Sequence, residues 1–134
     1  PGEFVARIRV PLAHDGVLVA SHKWSKRFDQ DISAVCTAYS LELDGDTVTR
    51  FRMACGGVAA TIRRAAECEK TINGAAWSEE TIDRACAALA KDFTPISDMR
   101  AAADIRLVAV QNLLRRFWFE ARGEVDETVY TYGR

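Results

Sequence analysis

Apolar and polar positions alternate from the start of the chain. In Phe4-Val5-Ala6-Arg7-Ile8-Arg9-Val10, Phe4, Ala6, Ile8 and Val10 share one side, and Arg7 and Arg9 lie on the other. Period two is the signature of a half-buried strand. Pro11 ends it, because it has no amide to donate to a ladder. Asp15-Gly16 signals a turn. Val17 to Trp24 is apolar and then mixed, and reads as a loop or an extended piece. Ser33 to Leu43 and Thr47 to Cys55 are rich in β-branched and aromatic residues and flank Asp44-Gly45-Asp46, the strongest hairpin signal in the chain. Tyr39, Leu41 and Leu43 share a face of the first arm. Val48, Phe51 and Met53 are the candidates in the second, where the alternation is broken. Gly56-Gly57 closes the hairpin and permits a backbone that other residues resist.

Beyond Gly57 the period becomes helical. Ala65 to Ile72 is a short helix stopped by Asn73-Gly74. Ser78 offers an N-cap, and Glu79 and Glu80 suit the positive end of the helix that follows. That helix carries Ile82, Ala85, Cys86 and Leu89 at helical spacing to about Lys91, before Pro95 interrupts. Met99 to Glu120 is the longest helical pattern. Its stripe runs through Ile105, Val108, Ala109 and Asn112, and Leu113, Leu114, Phe117 and Trp118 widen it. Strands first and helices after give an α+β fold. The expected architecture is an antiparallel three- to four-stranded sheet followed by three helices packed on one face. Residues 1–122 form the domain, and 123–134, without a period, form a tail expected to be loose.

Composition narrows the function. The 134 residues suit one domain and are too few for a two-domain enzyme with its own nucleotide fold. Eighteen Lys+Arg against nineteen Asp+Glu leave a net charge of −1, which offers no footprint for nucleic acid or a polybasic membrane anchor. Apolar runs fall far short of the ~20 residues of a membrane span, and Pro1-Gly2-Glu3 does not begin a secretory signal. Cys36, Cys55, Cys68 and Cys86 form no CxxC, and His14 and His22 lie away from them. A metal site is not expected, and buried free thiols in a cytoplasmic protein are.

No GxGxxG, P-loop, HExxH or GxSxG occurs, so no catalytic residue is assigned. Gly56-Gly57, with Thr61, Arg63 and Arg64 close by, reads as an anion cradle or as a tight connection. The segment Lys23-Trp24-Ser25-Lys26-Arg27-Phe28-Asp29-Gln30-Asp31-Ile32-Ser33 is dense in charge and aromatics between apolar strands. It reads as a solvated charged loop or as a binding loop presenting one cation and one aromatic. Arg27 and Asp31, four apart, pair if the segment turns helical, and Asp31 can equally cap a short turn.

That segment resembles the Lys-x-x-x-Arg-x-x-x-Asp-Ile stretch of xanthine dehydrogenase flavin subunits, most closely the bacterial small-subunit form. Ala54-Cys55-Gly56-Gly57-Val58-Ala59, Ala66-Glu67, Asn73-Gly74, Pro95-Ile96-Ser97-Asp98-Met99-Arg100 and Gln111-Asn112-Leu113-Leu114-Arg115-Arg116-Phe117 follow in the family's order. The resemblance covers roughly residues 4–120. It is to the C-terminal domain of the flavin-binding portion, as in the carbon monoxide dehydrogenase flavoprotein family. An antiparallel sheet with three helices is the fold it implies.

The resemblance implies that Lys23 contacts FAD and that Val5, where Leu is familiar, packs against the flavin. Arg27 and Asp31 match the motif as a pair holding the loop, and Phe28 stands where other members can carry a second basic residue. It implies a part of an FAD-dependent xanthine dehydrogenase that passes electrons from iron–sulfur clusters through FAD to NAD. The partners implied are the N-terminal FAD-binding and iron–sulfur domains of the same polypeptide and the large subunit holding the molybdenum cofactor. Alone, the domain is expected to be inactive and to bind FAD weakly. Two other readings stand beside it. One is a related aldehyde- or carbon-monoxide-oxidising enzyme. The other is a non-catalytic docking module using the broad face of the last helix, with Leu113, Leu114, Phe117, Trp118 and Phe119.

Overall fold

The structure, a computed structural model, describes residues 2–12, 14–27 and 31–125. Within these residues the elements are β1 (Val17–Trp24), β2 (Val35–Asp44), β3 (Thr47–Gly56), β4 (Arg63–Arg64), α1 (Ala66–Ile72), α2 (Glu79–Asp92) and α3 (Ala103–Ala121). The strands form one antiparallel sheet in the order β1-β2-β3-β4. The α+β architecture is the one expected, with four strands first and three helices after. α3 packs on β1 and β2, α1 on β3, and α2 against both α1 and α3.

The strand expected over Phe4–Val10 is not part of this sheet. Residues 4–10 carry no regular structure, and Phe4, Val5, Ile8 and Val10 are 76–85% exposed. An alternating face needs a partner to bury it, and no strand among the described residues supplies one. The first position of the sheet goes instead to Val17–Trp24, paired with β2 from Val17↔Glu42 to Trp24↔Val35. Its alternation is weak because only Val17, Ala20, His22 and Trp24 are half-buried.

The β2–β3 hairpin closes at Asp44↔Thr47 over Gly45-Asp46, with Gly45 at φ 56°. The broken alternation in its second arm is a β-bulge. Leu43 pairs with Val48 and Glu42 with Arg50, so Thr49 is the extra residue, and its hydroxyl donates to Glu42 O at 3.0 Å. The bulge lets Val48 and then Phe51, Met53 and Cys55 all face the core, opposite Val35, Thr37, Tyr39 and Leu41. Leu43, at the hairpin end, is 37% exposed.

α1 ends at Asn73, and Gly74 follows at φ 78°. The Asn73 amide continues the sheet: Oδ1 accepts from Phe51 N at 2.7 Å and Nδ2 donates to Phe51 O at 3.1 Å. Ser78 caps α2, its hydroxyl accepting from Thr81 N, and Ile82, Ala85, Cys86 and Leu89 are buried as their spacing predicts. α3 starts later than expected, because Asp98 holds residues 98–101 in a turn through Arg100 N (2.8 Å) and Ala101 N (3.1 Å). Its buried stripe also differs. Arg106, Val110, Leu114, Phe117 and Trp118 point inward, whereas Ile105, Val108 and Asn112 are exposed. The stripe drawn through Ile105, Val108 and Asn112 left out Arg106, the buried residue that marks the inward side. The expected tail falls mostly on residues 126–134, outside the described residues.

Candidate functional site

Alternation along β1 turns His22 and Trp24 toward the helices and leaves Lys23 exposed on the opposite face of the sheet. Its cross-strand neighbour is Cys36, also exposed, and Ser21 pairs with Ala38 beside them. The outer face around Lys23 is therefore lined by small side chains. Among the described residues no carboxylate pairs with the Lys23 ammonium, which donates to the carbonyl of Asp31 at 3.1 Å.

The described residues of the charged segment after Lys23 are tied to one another. Asp31 accepts from Arg27 N at 3.0 Å and meets the Arg27 guanidinium at 3.7 Å. Arg27 and Asp31 thus pair although residues 25–27 and 31–33 lie outside any helix, and the Asp31 carboxylate holds an amide four residues before it rather than capping one after it. The amide of Arg27, and then its charge, hold the Asp31 carboxyl below its ordinary value. The loop is closed at its base by Ala34 N donating to Trp24 O at 2.9 Å. Lys26 Nζ donates to Met99 O at 2.9 Å. Phe28 lies outside the described residues. Val5 is 79% exposed and belongs to no element, so the site described here contains Lys23 without it.

The glycine pair forms a connection rather than a cradle. Gly57 has φ +83°, and a Cβ there would stand 2.2 Å from Ala34 O. The amides at the start of α1 are taken by the chain's own carboxylate, Glu67 N and Cys68 N each donating to Asp92 at 2.9 Å. Arg64 is held by both oxygens of Glu69.

Arg106, only 3% exposed, was not foreseen. Nη1 donates to Ala34 O at 2.5 Å and to Gly57 O at 2.6 Å, while Nη2 donates to Asp98 Oδ1 at 2.5 Å. The amides of Arg100 and Ala101, followed by the Arg106 guanidinium, bring the Asp98 pKa down to about 2. A buried guanidinium needs such acceptors to offset its lost hydration. A cleft of about 330 Å³ lies beside it, lined by Ser33, Val58, Thr94, Ile96 and Arg100 among others. The sequence signal for Arg106 is its i, i+4 spacing with Val110 and Leu114.

Of the four cysteines, all free, Cys55, Cys68 and Cys86 are buried and Cys36 is exposed, a correction to the expectation of buried thiols throughout. No described helix is long and apolar enough to cross a membrane.

Known proteins are similar to this chain in sequence and fold. The sequence profile of the CO dehydrogenase flavoprotein C-terminal domain matches residues 20–121. The xanthine dehydrogenase FAD-binding subunit of Escherichia coli O157:H7 is 28% identical over 127 residues, covering 84% of this chain and 44% of the relative. The nicotine 6-hydroxylase medium subunit of Paenarthrobacter nicotinovorans is 33% identical over 91 residues, covering 68% of this chain and 32% of the relative. A solved carbon monoxide dehydrogenase from Hydrogenophaga pseudoflava superposes with a TM-score of 0.75 at 27% identity, over 80% of this chain and 37% of that one. The chain thus spans less than half the length of each. With the profile covering most of its length, and the same sheet-then-helices order, the chain belongs to the CO dehydrogenase flavoprotein C-terminal domain family.

Proposed function

We propose that this chain is the C-terminal domain of the flavoprotein part of a xanthine dehydrogenase, covering one side of FAD while electrons pass from iron–sulfur clusters to NAD. The observation that carries the reading is the match over 84% of the chain to a subunit named for xanthine dehydrogenase and FAD binding. Residues 1–122 are the domain and 123–134 its tail. The iron–sulfur and molybdenum centres belong to other domains of the polypeptide and to the large subunit. The parent enzyme is read as cytoplasmic, in keeping with four free thiols.

The residues on the outer sheet face fit a flavin. Lys23 presents an ammonium with no described carboxylate to neutralise it, amid side chains small enough for a flat ring to approach. Bound FAD would accept and donate the electrons, since that chemistry is the cofactor's own. Lys23 supplies positive charge beside it. Near a reduced, anionic ring that charge is stabilising, the more so out of water. Val5 would add an apolar contact once its segment is covered. To test this, Lys23 is replaced by Ala in the whole enzyme, and FAD content and flavin potential are measured. Less bound FAD or a lower potential is expected, and no change in either would sink the reading.

A second reading is a related hydroxylase with another substrate, favoured by the 33% identity to a nicotine 6-hydroxylase subunit. Turnover of purified enzyme on xanthine against N-heterocycles separates the two. The docking face expected from the sequence is mostly core, since Leu114, Phe117 and Trp118 are buried; a docking module would have to use Phe119 with the exposed Ile105 and Val108 of α3. A strictly monomeric enzyme part with that face open to solvent would count against it.

A further inference from the structure

The buried guanidinium of Arg106 stands at a junction of three segments that are distant in sequence. Ala34 is the residue just before β2, Gly57 follows β3, and Asp98 opens the turn before α3. Two of these also fix the Lys23 loop. Ala34 closes the loop's base on Trp24 O, and the Asp98 turn contains Met99, whose carbonyl receives Lys26. The loop's far end returns to Lys23 through the carbonyl of Asp31. The connection is continuous: Arg106 to Ala34 and Asp98, these to the two sides of the loop, and the loop to the ammonium.

We infer that Arg106 is a positioning residue, whose fork ties Ala34, Gly57 and the Asp98 turn together and thereby holds residues 24–27 and 31–34 and the Lys23 ammonium in place. The functional consequence rests on the proposed contact of Lys23 with the flavin; the mechanical part does not. A planar guanidinium is required, because three acceptors in different directions need several donors in a fixed fork. A lysine ammonium at the end of a flexible stem keeps the charge but not that geometry. A simple packing role would be satisfied by any side chain that fills the volume and keeps the fold.

The test uses the full-length protein loaded with FAD, with R106K, D98N, K23M and the K23M/R106K double variant. Hydrogen exchange of the peptide spanning Trp24–Val35 is followed beside that of α2, together with the FAD dissociation constant and flavin potential. R106K is expected to speed exchange in the loop peptide about tenfold while leaving α2 unchanged, and to raise the FAD dissociation constant about tenfold. The double variant should bind FAD no worse than K23M alone, because both act through one ammonium. D98N keeps the oxygen acceptor for Arg100 and Ala101 and removes only the charge, so it reports on the clamp should R106K fail to fold. Unchanged loop exchange in both folded variants overturns the inference, and so does a double variant whose losses multiply. If K23M leaves FAD binding and potential untouched while R106K still loosens the loop, the flavin contact fails and the clamp stands.

Discussion

The ring of Tyr39 on β2 lies over that of Phe117 on α3, with centroids 4.5 Å apart and planes 3° from parallel. The stack joins the centre of the sheet to the C-terminal part of the longest helix. Phe51 at 6.4 Å and Trp77 at 6.0 Å, nearly edge-on, close the remaining sides of Phe117. Aromatic pairs in such contact add to the gain from burial alone.

Phe117→Ala removes a ring that is 2% exposed and has aromatic neighbours on several sides. It should cost about 3–5 kcal/mol, a large share of the ~5–15 kcal/mol of a typical domain. Urea unfolding checks this. A loss under ~1 kcal/mol would mean that the stack is not what holds α3 to the sheet.

Gly57 and Gly74 both have positive φ, at +83° and +78°, yet only Gly57 is crowded by another segment. Gly74→Ala therefore pays the left-handed backbone cost alone, about 1–2 kcal/mol. Gly57→Ala pays that and must push away Ala34 O, one of the acceptors of Arg106. The expected order of unfolding midpoints is wild type, then Gly74→Ala, then Gly57→Ala well below both. Equal midpoints for the two variants would contradict the crowding.

Most of the architecture was legible because it rests on local rules. The Asp-Gly turn, the Asn73-Gly74 stop, the Ser78 cap and the face of α2 each follow from residues close in the chain. What failed depended on distant partners. Phe4–Val10 has the period of a strand, but period says nothing about whether a sheet is available to receive it. Arg106 had no place in the expected stripe, and only the meeting of Ala34, Gly57 and Asp98 offsets the cost of its burial. At the candidate site, Lys23 and the Arg27–Asp31 pair were visible in the motif. The tie from Lys26 to Met99 was not, since it spans 73 positions.

The thiols should divide three to one. Burial pushes Cys55 up to about 12 and Cys86 to about 11, and raises Cys68 further still. Cys36 is exposed on the outer sheet face. A thiol-specific reagent at mildly alkaline pH should modify one cysteine in the native protein and four in denaturant. Mass mapping should find the native label on Cys36. Rapid native labelling of any other cysteine would refute the assignment.

Acid should act on the Asp98–Arg106 pair late. The Asp98 pKa lies at about 2 when folded against an ordinary 3.8. A depressed carboxyl contributes stability that is fully present above its unfolded value and is lost as pH falls through the folded one. The pair's contribution should thus be constant above about pH 4 and decline toward about pH 2. D98N should be less stable than wild type at neutral pH and converge with it near the acid end. A constant difference across that range would show that the ionised carboxylate is not what matters.

The bulge at Thr49 gives the hairpin arm a property of counting. Side chains on a strand change sides with every residue gained or lost, so most single deletions turn a core upside down. Here the arm already contains one residue outside the pairing. Removing Thr49 would restore a plain ladder and leave Val48, Phe51, Met53 and Cys55 facing inward. Removing Arg52 would send Met53 and Cys55 outward. The arm can therefore lose a residue at the bulge, and only there, without any core side chain changing sides.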